Sequence, residues 1–172
     1  VEIVKVPEKR IKAFTANSYE AKKLIERKCE VKLEIDTEGE IEIEGECADV
    51  FFAKDVVKAI GRGFEPNDAI KIISENYSFH LIDLKEILRN EKAISRIKGR
   101  IIGEKGKMKN EIEAATQCKI SVYGYTVGII AELDTIEYSK EAVGKLINGA
   151  EHSRVFGYLA KVKKEIFRKK LT

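Results

Sequence analysis

The sequence predicts an α+β fold built from two copies of one module, each a three-stranded antiparallel sheet packed by helices, followed by a further helix. Three observations carry that reading. Shifting the 172-residue chain by 87 positions lays one half on the other: Ile25-Glu26 falls on Ile112-Glu113, Lys32-Leu33 on Lys119-Ile120, and Ile35 on Val122. Ile43 then falls on Ile130, Val56 on Val143 and Ile60 on Ile147, a register held over about fifty residues without a gap, which marks a duplication. Each half also switches between period-2 and period-3.6 hydrophobic patterns, so strands and amphipathic helices interleave. In the second half Gly103 and Gly106, three apart, interrupt a helical pattern between two amphipathic segments.

In order along the chain, Glu2–Val6 reads as a strand. Pro7-Glu8 opens a helix to about Thr15, and a second helix covers Ser18–Lys28. Glu30–Asp36 alternates with Val31, Leu33 and Ile35 inward, Glu38-Gly39 turns the chain, and Glu40–Glu44 returns with Ile41 and Ile43 inward. A helix from Ala48 to Ile60 places Ala53, Val56, Val57 and Ile60 on one face; Gly61 and Gly63 stop it, and Pro66-Asn67 opens a short helix to about Ser74. The second copy begins with strand Tyr77–Asp83 and a helical insertion at Leu84–Arg89. Helices near Lys92–Ile102 and Lys107–Thr116 follow, then strands Lys119–Tyr123 and Thr126–Glu132 joined by Gly124-Tyr125. A helix over Thr135–Asn148 and a last amphipathic helix, Arg154–Lys170, close the chain. The expected division is 1–76 and 77–172.

The net charge of +3 conceals an asymmetry: residues 1–78 hold 13 Lys and Arg against 17 Asp and Glu, residues 79–172 hold 19 against 12. A basic half is the electrostatic footprint of polyanion binding, and an acidic half would repel the same ligand. Cys29, Cys47 and Cys118 lack metal-ligand spacing and read as reduced thiols of a cytoplasmic protein. No apolar run approaches the about 20 residues that span a bilayer, and no targeting segment is visible. His80 and His152 stand alone, and the carboxylates of 38–46 alternate with apolar residues as a solvated strand face does. Neither a metal site nor a catalytic set is expected, no cofactor is implied, and the chain reads as no enzyme.

The chemistry concentrates at Arg96-Ile-Lys98-Gly-Arg100-Ile101-Ile102-Gly103-Glu104-Lys105-Gly106-Lys107-Met-Lys109. Glycines without Cβ let a nucleic-acid backbone approach, and the N-terminus of the next helix favours an anion. Arg96, Lys98, Arg100, Lys105, Lys107 and Lys109 are candidate phosphate contacts, against the commoner fate of lysines as a solvated face. Glu104 completes the loop. Ile101 and Ile102 are candidates for the floor of a base-receiving groove, while Ile112 is expected in the core. Ser121, Val122 and Tyr123 lie on the strand expected to border the groove, where Tyr123 or Tyr125 could stack on a base; sheet packing is the plainer role. The same shift sets Ala16-Asn17-Ser18-Tyr19 against Gly103–Gly106, so the first copy has lost both glycines and reads as a structural or protein-binding module.

Strand–helix–glycine loop–helix–strand–strand–helix is the order of the eukaryotic-type (type I) KH module, whose GxxG loop clamps about four nucleotides of single strand. The whole chain resembles the archaeal and eukaryotic tandem-KH family of small ribosomal subunit assembly. Five blocks carry the likeness: Lys54–Phe64, His80–Leu84, Arg96–Gly103, Ile120–Gly124 and Gly149-Ala-Glu-His152. The resemblance implies binding to single-stranded RNA at the 3′ end region of 16S rRNA or its precursor. It further implies partnership with the PIN-domain nuclease that matures that end and, for archaeal members, with the α subunit of translation initiation factor 2. A monomer is expected. The competing expectation is a protein adaptor, in which the acidic first module and the basic last helix bind the nuclease or the factor and RNA contact is secondary.

Overall fold

Glu2–Lys5 (β1), Lys32–Ile35 (β2) and Glu40–Glu44 (β3) alternate apolar and charged residues, so each strand offers one face to a core and one to water. In the computed structural model, which describes residues 1–172, they form an antiparallel sheet of order β1-β3-β2 with Leu33 opposite Ile43 and Val4 opposite Ile41. Helix α1 (Ile11–Cys29) carries non-helical backbone at Ala16–Tyr19, which divides it into the two helices expected from sequence. Helix α2 (Cys47–Gly61) packs on α1 and buries Ala53, Val56, Val57 and Ile60 completely. Pro66–Ala69 (α3) runs into a 3-10 turn, Ile70–Ile73.

The chain divides into two compact units, Val1–Phe79 and His80–Thr172, with Tyr77–Asp83 (β4) across the boundary. In the second, β4, Lys119–Tyr123 (β5) and Thr126–Glu132 (β6) form a sheet of order β4-β6-β5. Asp83 Oδ1 accepts the Lys85 N–H at 2.9 Å to start α4 (Leu84–Ile87), and Asn90 Oδ1 accepts the Ala93 N–H at 2.9 Å to start α5 (Glu91–Ile102). Helix α6 (Lys107–Thr116) follows the glycine loop, and α7 (Ile136–Ile147) and α8 (His152–Leu171) close the unit. Leu84, Ile101, Met108, Ile112, Ile129 and Leu146 are fully buried in its core. The helices and β-hairpins of both units thus follow the order read from the sequence.

The repeat is visible atom by atom, with one correction. Glu26 Oε1 accepts the Leu33 N–H at 2.9 Å, and Glu113 Oε2, 87 positions on, accepts the Ile120 N–H at 3.0 Å. Lys22 pairs with Glu26 at 3.8 Å and Lys109 with Glu113 at 3.6 Å. Glu30 and Gln117 both end their helices in left-handed conformation, φ 55° and 57°. After the second strand of each copy, however, the register falls from 87 to 86. Leu33 faces Ile43 whereas Ile120 faces Ile129, so Ile43 answers Ile129, and not Ile130 as a gapless shift requires. The second hairpin turn is one residue shorter, and a slip of one residue exchanges the faces of a strand. Ile60 likewise answers Leu146.

Candidate nucleic-acid interface

The loop is built by stopping one helix and starting another within four residues. Gly103 ends α5 at φ 74°, ψ 175°, a conformation essentially closed to residues with a side chain, and its N–H donates to the Gly99 carbonyl at 2.9 Å. A Cβ on Gly103 would stand 2.8 Å from both Met108 N and Met108 Cβ. The missing side chain therefore keeps the first turn of α6 open as well as permitting the turn. Lys105 is left-handed at φ 51°, and Gly106 at φ 77° is the N-cap of α6 with no side chain to cap it. Uncapped amides at the start of a 10-residue helix, beside the exposed Lys105 and Lys107, favour an anion.

The structure sorts the residues singled out by sequence. Arg96, Glu104, Lys105 and Lys107 are exposed, and Lys98, Ile102, Gly103 and Gly106 half-exposed, around one loop. Lys107 sends its ammonium 5.3 Å from the ring centroid of Phe156 on α8, which in turn stacks edge-on to His152. Lys109 is turned to Glu113. Arg100 is a correction: its guanidinium donates Nη1 to the Leu146 carbonyl at 2.5 Å and Nη2 to the Ala150 carbonyl, so it caps the end of α7 where a phosphate contact was expected. Its counterpart is Arg10, which donates Nε to the Ile60 carbonyl at 2.9 Å and Nη2 to the Phe64 carbonyl at 3.1 Å. Ile101 is a second correction, fully buried with Met108 and Ile112, so it supports the groove from below and cannot floor it.

The expected strand residues also need correcting. Ile120 is buried in the core with Met108 and Ile112, and Val122 packs against that core. Strand alternation then puts Ser121 and Tyr123 on the opposite face from the helices that carry the loop. Val122 and the half-buried Ile102 are the apolar side chains on the loop's side, and parity along β5 was the signal for Val122. Tyr125 is 36% exposed, with the Lys85 ammonium 3.9 Å from its ring centroid. Phe156 carried no sequence signal, because its nearness to the loop depends on how α8 packs on α6.

The first unit breaks its helix at the same place without glycines and with a different entry to the turn, Ala16 at φ −62° where Gly103 is at 74°. Asn17, Ser18 and Tyr19 are all left-handed, with φ between 50° and 63°, and Tyr19 is 49% exposed with Lys22 5.8 Å from its ring centroid. Its acidity is elsewhere: residues 30–49 hold nine carboxylates against Lys32, while α1 holds five cations against Glu20 and Glu26. Glu34, Glu40, Glu42 and Glu44 share the exposed sheet face. No group of His, Cys, Asp or Glu is arranged to hold a metal ion, and no helix is long and apolar enough to cross a membrane. Burial pushes the Cys118 thiol up to about 11.

Comparison with known proteins gives this geometry a family. A model of the second KH domain of PNO1, a eukaryotic-type (type I) KH domain, matches residues 78–164. A KH domain-containing protein of Methanocaldococcus jannaschii is 38% identical over 98% of this chain and 76% of its own length. Pre-rRNA-processing protein pno1 of Aspergillus oryzae is 37% identical over 63% of this chain, and the match spans only 43% of that longer protein. Among solved structures, the complex of a/eIF2alpha, aDim2p and rRNA from Pyrococcus horikoshii OT3 contains a chain with TM-score 0.86 and 38% identity, covering 95% of this chain and 94% of its own.

Proposed function

Because this chain belongs to the type I KH-domain family, in its PNO1 branch, we propose that it is a non-catalytic RNA-binding protein of small ribosomal subunit assembly. The second unit clamps single-stranded RNA at the 3′ end region of 16S rRNA or its precursor. The carrying observation is the loop at Gly103–Gly106, where an absent Cβ leaves the first turn of α6 open. Phosphate contacts at Lys105, Lys107 and the α6 amides orient the strand, and base edges over Ile102 and Val122 supply selectivity. Arg96 and Lys98 add cations on the preceding helix; Ser121 and Tyr123 contribute only if the strand reaches the far face of β5. Rigid presentation of the 3′ end would suit a PIN-domain nuclease, and the Pyrococcus complex makes the initiation factor 2 α subunit the second candidate partner.

The test replaces Glu104 and Lys105 by Asp together and titrates the protein with a short RNA ending in the rRNA 3′ sequence. Adding negative charge to the loop should weaken binding at least about tenfold and flatten the dependence of affinity on salt. Unchanged affinity and slope would remove the clamp. The adaptor reading keeps one specific support, the four glutamates on the exposed sheet face of the first unit. Glu34→Lys with Glu42→Lys should abolish capture of the purified α subunit while leaving RNA binding intact; retained capture counts against it.

A further inference from the structure

The positive charge of the second unit is concentrated in one element. Residues 80–172 hold 19 Lys and Arg against 12 Asp and Glu; α8 alone holds seven of those cations and one carboxylate, Glu165. The rest of the unit is therefore nearly neutral. Helical spacing sorts the α8 cations further. Val155, Leu159, Val162 and Ile166 are buried. On the side opposite them, Arg154, Lys161, Lys164 and Arg168 make one exposed ridge with Ser153, Gly157 and Ala160 between them. Lys169 is held on the flank by Tyr138 at 2.9 Å and Glu165 at 3.7 Å, whereas the four ridge cations pair with no carboxylate.

The N-terminal end of α8 lies at the loop. Arg100, from the helix that ends at Gly103, grips the carbonyls of Leu146 and Ala150 and so fixes the turn that leads into α8. One turn into α8, Phe156 lies under the Lys107 ammonium. Phe156 is on the flank of α8, and the ridge from Arg154 to Arg168 runs about 21 Å along the side away from the core.

We propose that this ridge is a second RNA-contacting surface, a rail of cations for the phosphates of the same strand that the loop clamps; the inference rests on the RNA-binding reading. RNA is the occupant the chemistry favours over a protein face. Protein hot spots need aromatic or aliphatic anchors; the exposed Phe167 and Leu171 stand only at the C-terminal end of the helix, and from Arg154 to Lys164 no exposed apolar side chain larger than Ala160 lies among the cations. Small residues let a phosphate backbone lie close, and unpaired lysines at a helical repeat match a polyanion.

The experiment uses the full chain with Arg154→Gln, Lys161→Gln, Lys164→Gln and Arg168→Gln combined, all exposed positions whose change leaves the core intact. Two fluorescent RNAs ending in the rRNA 3′ sequence are titrated, one of about four nucleotides that fills only the clamp and one of about twelve that runs past it. The longer RNA should lose about 10- to 100-fold in affinity, and the slope of log K against log salt should fall by about 2 to 3. The shorter RNA should change less than about twofold. Retained affinity and slope for the longer RNA would overturn the proposal, as would an equal loss for both. Lys105→Asp separates the two readings: it weakens both RNAs if the loop clamps, and if it weakens neither the clamp itself falls, whatever the ridge does.

Discussion

The loops at Ala16–Tyr19 and Gly103–Gly106 occupy the same place in two copies of one fold, but the chain enters them differently: Ala16 has φ −62° where Gly103 has 74°, and Asn17 is left-handed at 50° where Glu104 is not, while the last two positions agree. Ser18 and Lys105 have φ of 58° and 51°, Tyr19 and Gly106 of 63° and 77°. The difference lies in what the backbone presents. In the second unit the absent Cβ at Gly103 leaves Met108 N–H approachable; in the first, the corresponding loop positions carry the exposed side chains of Ala16 and Tyr19. The exit from the turn is thus common to both copies, while its entry and the access to the backbone depend on which residues stand there. The sharpest way to break the contrast is Gly103→Ala. It combines a forbidden backbone region with a 2.8 Å collision, so it should destabilise the protein by about 2–4 kcal/mol and abolish RNA binding. Urea unfolding and an RNA titration read the two effects. A stable variant with full RNA affinity would show that the open turn is irrelevant.

The next largest contrast is between Arg10 and Arg100, which do the same work in the two units. Each guanidinium is partly buried and binds two carbonyls at the end of a helix. Removing either leaves acceptors unmet, and Arg10→Ala and Arg100→Ala should each cost about 2 kcal/mol by denaturant unfolding. Lysine cannot reproduce the fork and should rescue neither. Under the capping assignment the charge-removing Arg100→Gln leaves the salt dependence of RNA binding unchanged. A reduced salt slope would return Arg100 to the phosphate contacts.

These pairs show how far the sequence could be read. Every strand and most helix bounds follow from periodicity and turn residues, because alternating Ile and Glu in β3 or the Gly124-Tyr125 turn act locally. The GxxG loop was legible for the same reason. What was not legible depends on the third dimension. Arg100 sits among basic residues and looks like one of them until the end of α7 arrives beside it. The one-residue slip after the second strand changes which isoleucine faces the core, and only the pairing of Ile120 with Ile129 shows it. Charge summed over residues 1–78 made the first unit look hostile to RNA throughout, although its acidity is on the hairpin and its broken helix is basic. Parity put Ser121 and Tyr123 on the wrong face for a groove, which strand alternation alone could have indicated had the inward face of β5 been followed to its end.

A smaller effect tests the strain in the first loop. A non-glycine residue held left-handed costs about 1–2 kcal/mol relative to the right-handed region, and three stand in a row at Asn17, Ser18 and Tyr19. Tyr19→Gly relieves one of them at an exposed position, offset by the greater freedom of glycine in the unfolded chain. The expected outcome is a gain of about 1 kcal/mol in unfolding free energy. A loss would mean that the Tyr19 ring, with Lys22 beside it, contributes more than the strain takes away.

The finest comparison is between Glu26 and Glu113, where the two units are most alike. Each carboxylate leaves a helix to accept the N–H of the strand that follows, Leu33 in one and Ile120 in the other, and each is flanked by a lysine one turn earlier. The bond ties the end of the loop-bearing helix to the edge strand beside it, so it sets the spacing across which a nucleotide would lie. Glu26→Ala and Glu113→Ala should each cost about 1 to 2 kcal/mol, the range of a hydrogen bond to a charged acceptor. Only Glu113→Ala should also weaken RNA binding, by a few-fold, because only in the second unit does that spacing border an open loop. The ion pairs contribute little at these distances and exposures, so 0.5 M salt should leave both stability effects nearly intact. Equal losses of RNA affinity from the two substitutions would mean that both loops engage RNA, and the asymmetry between the units would be one of degree.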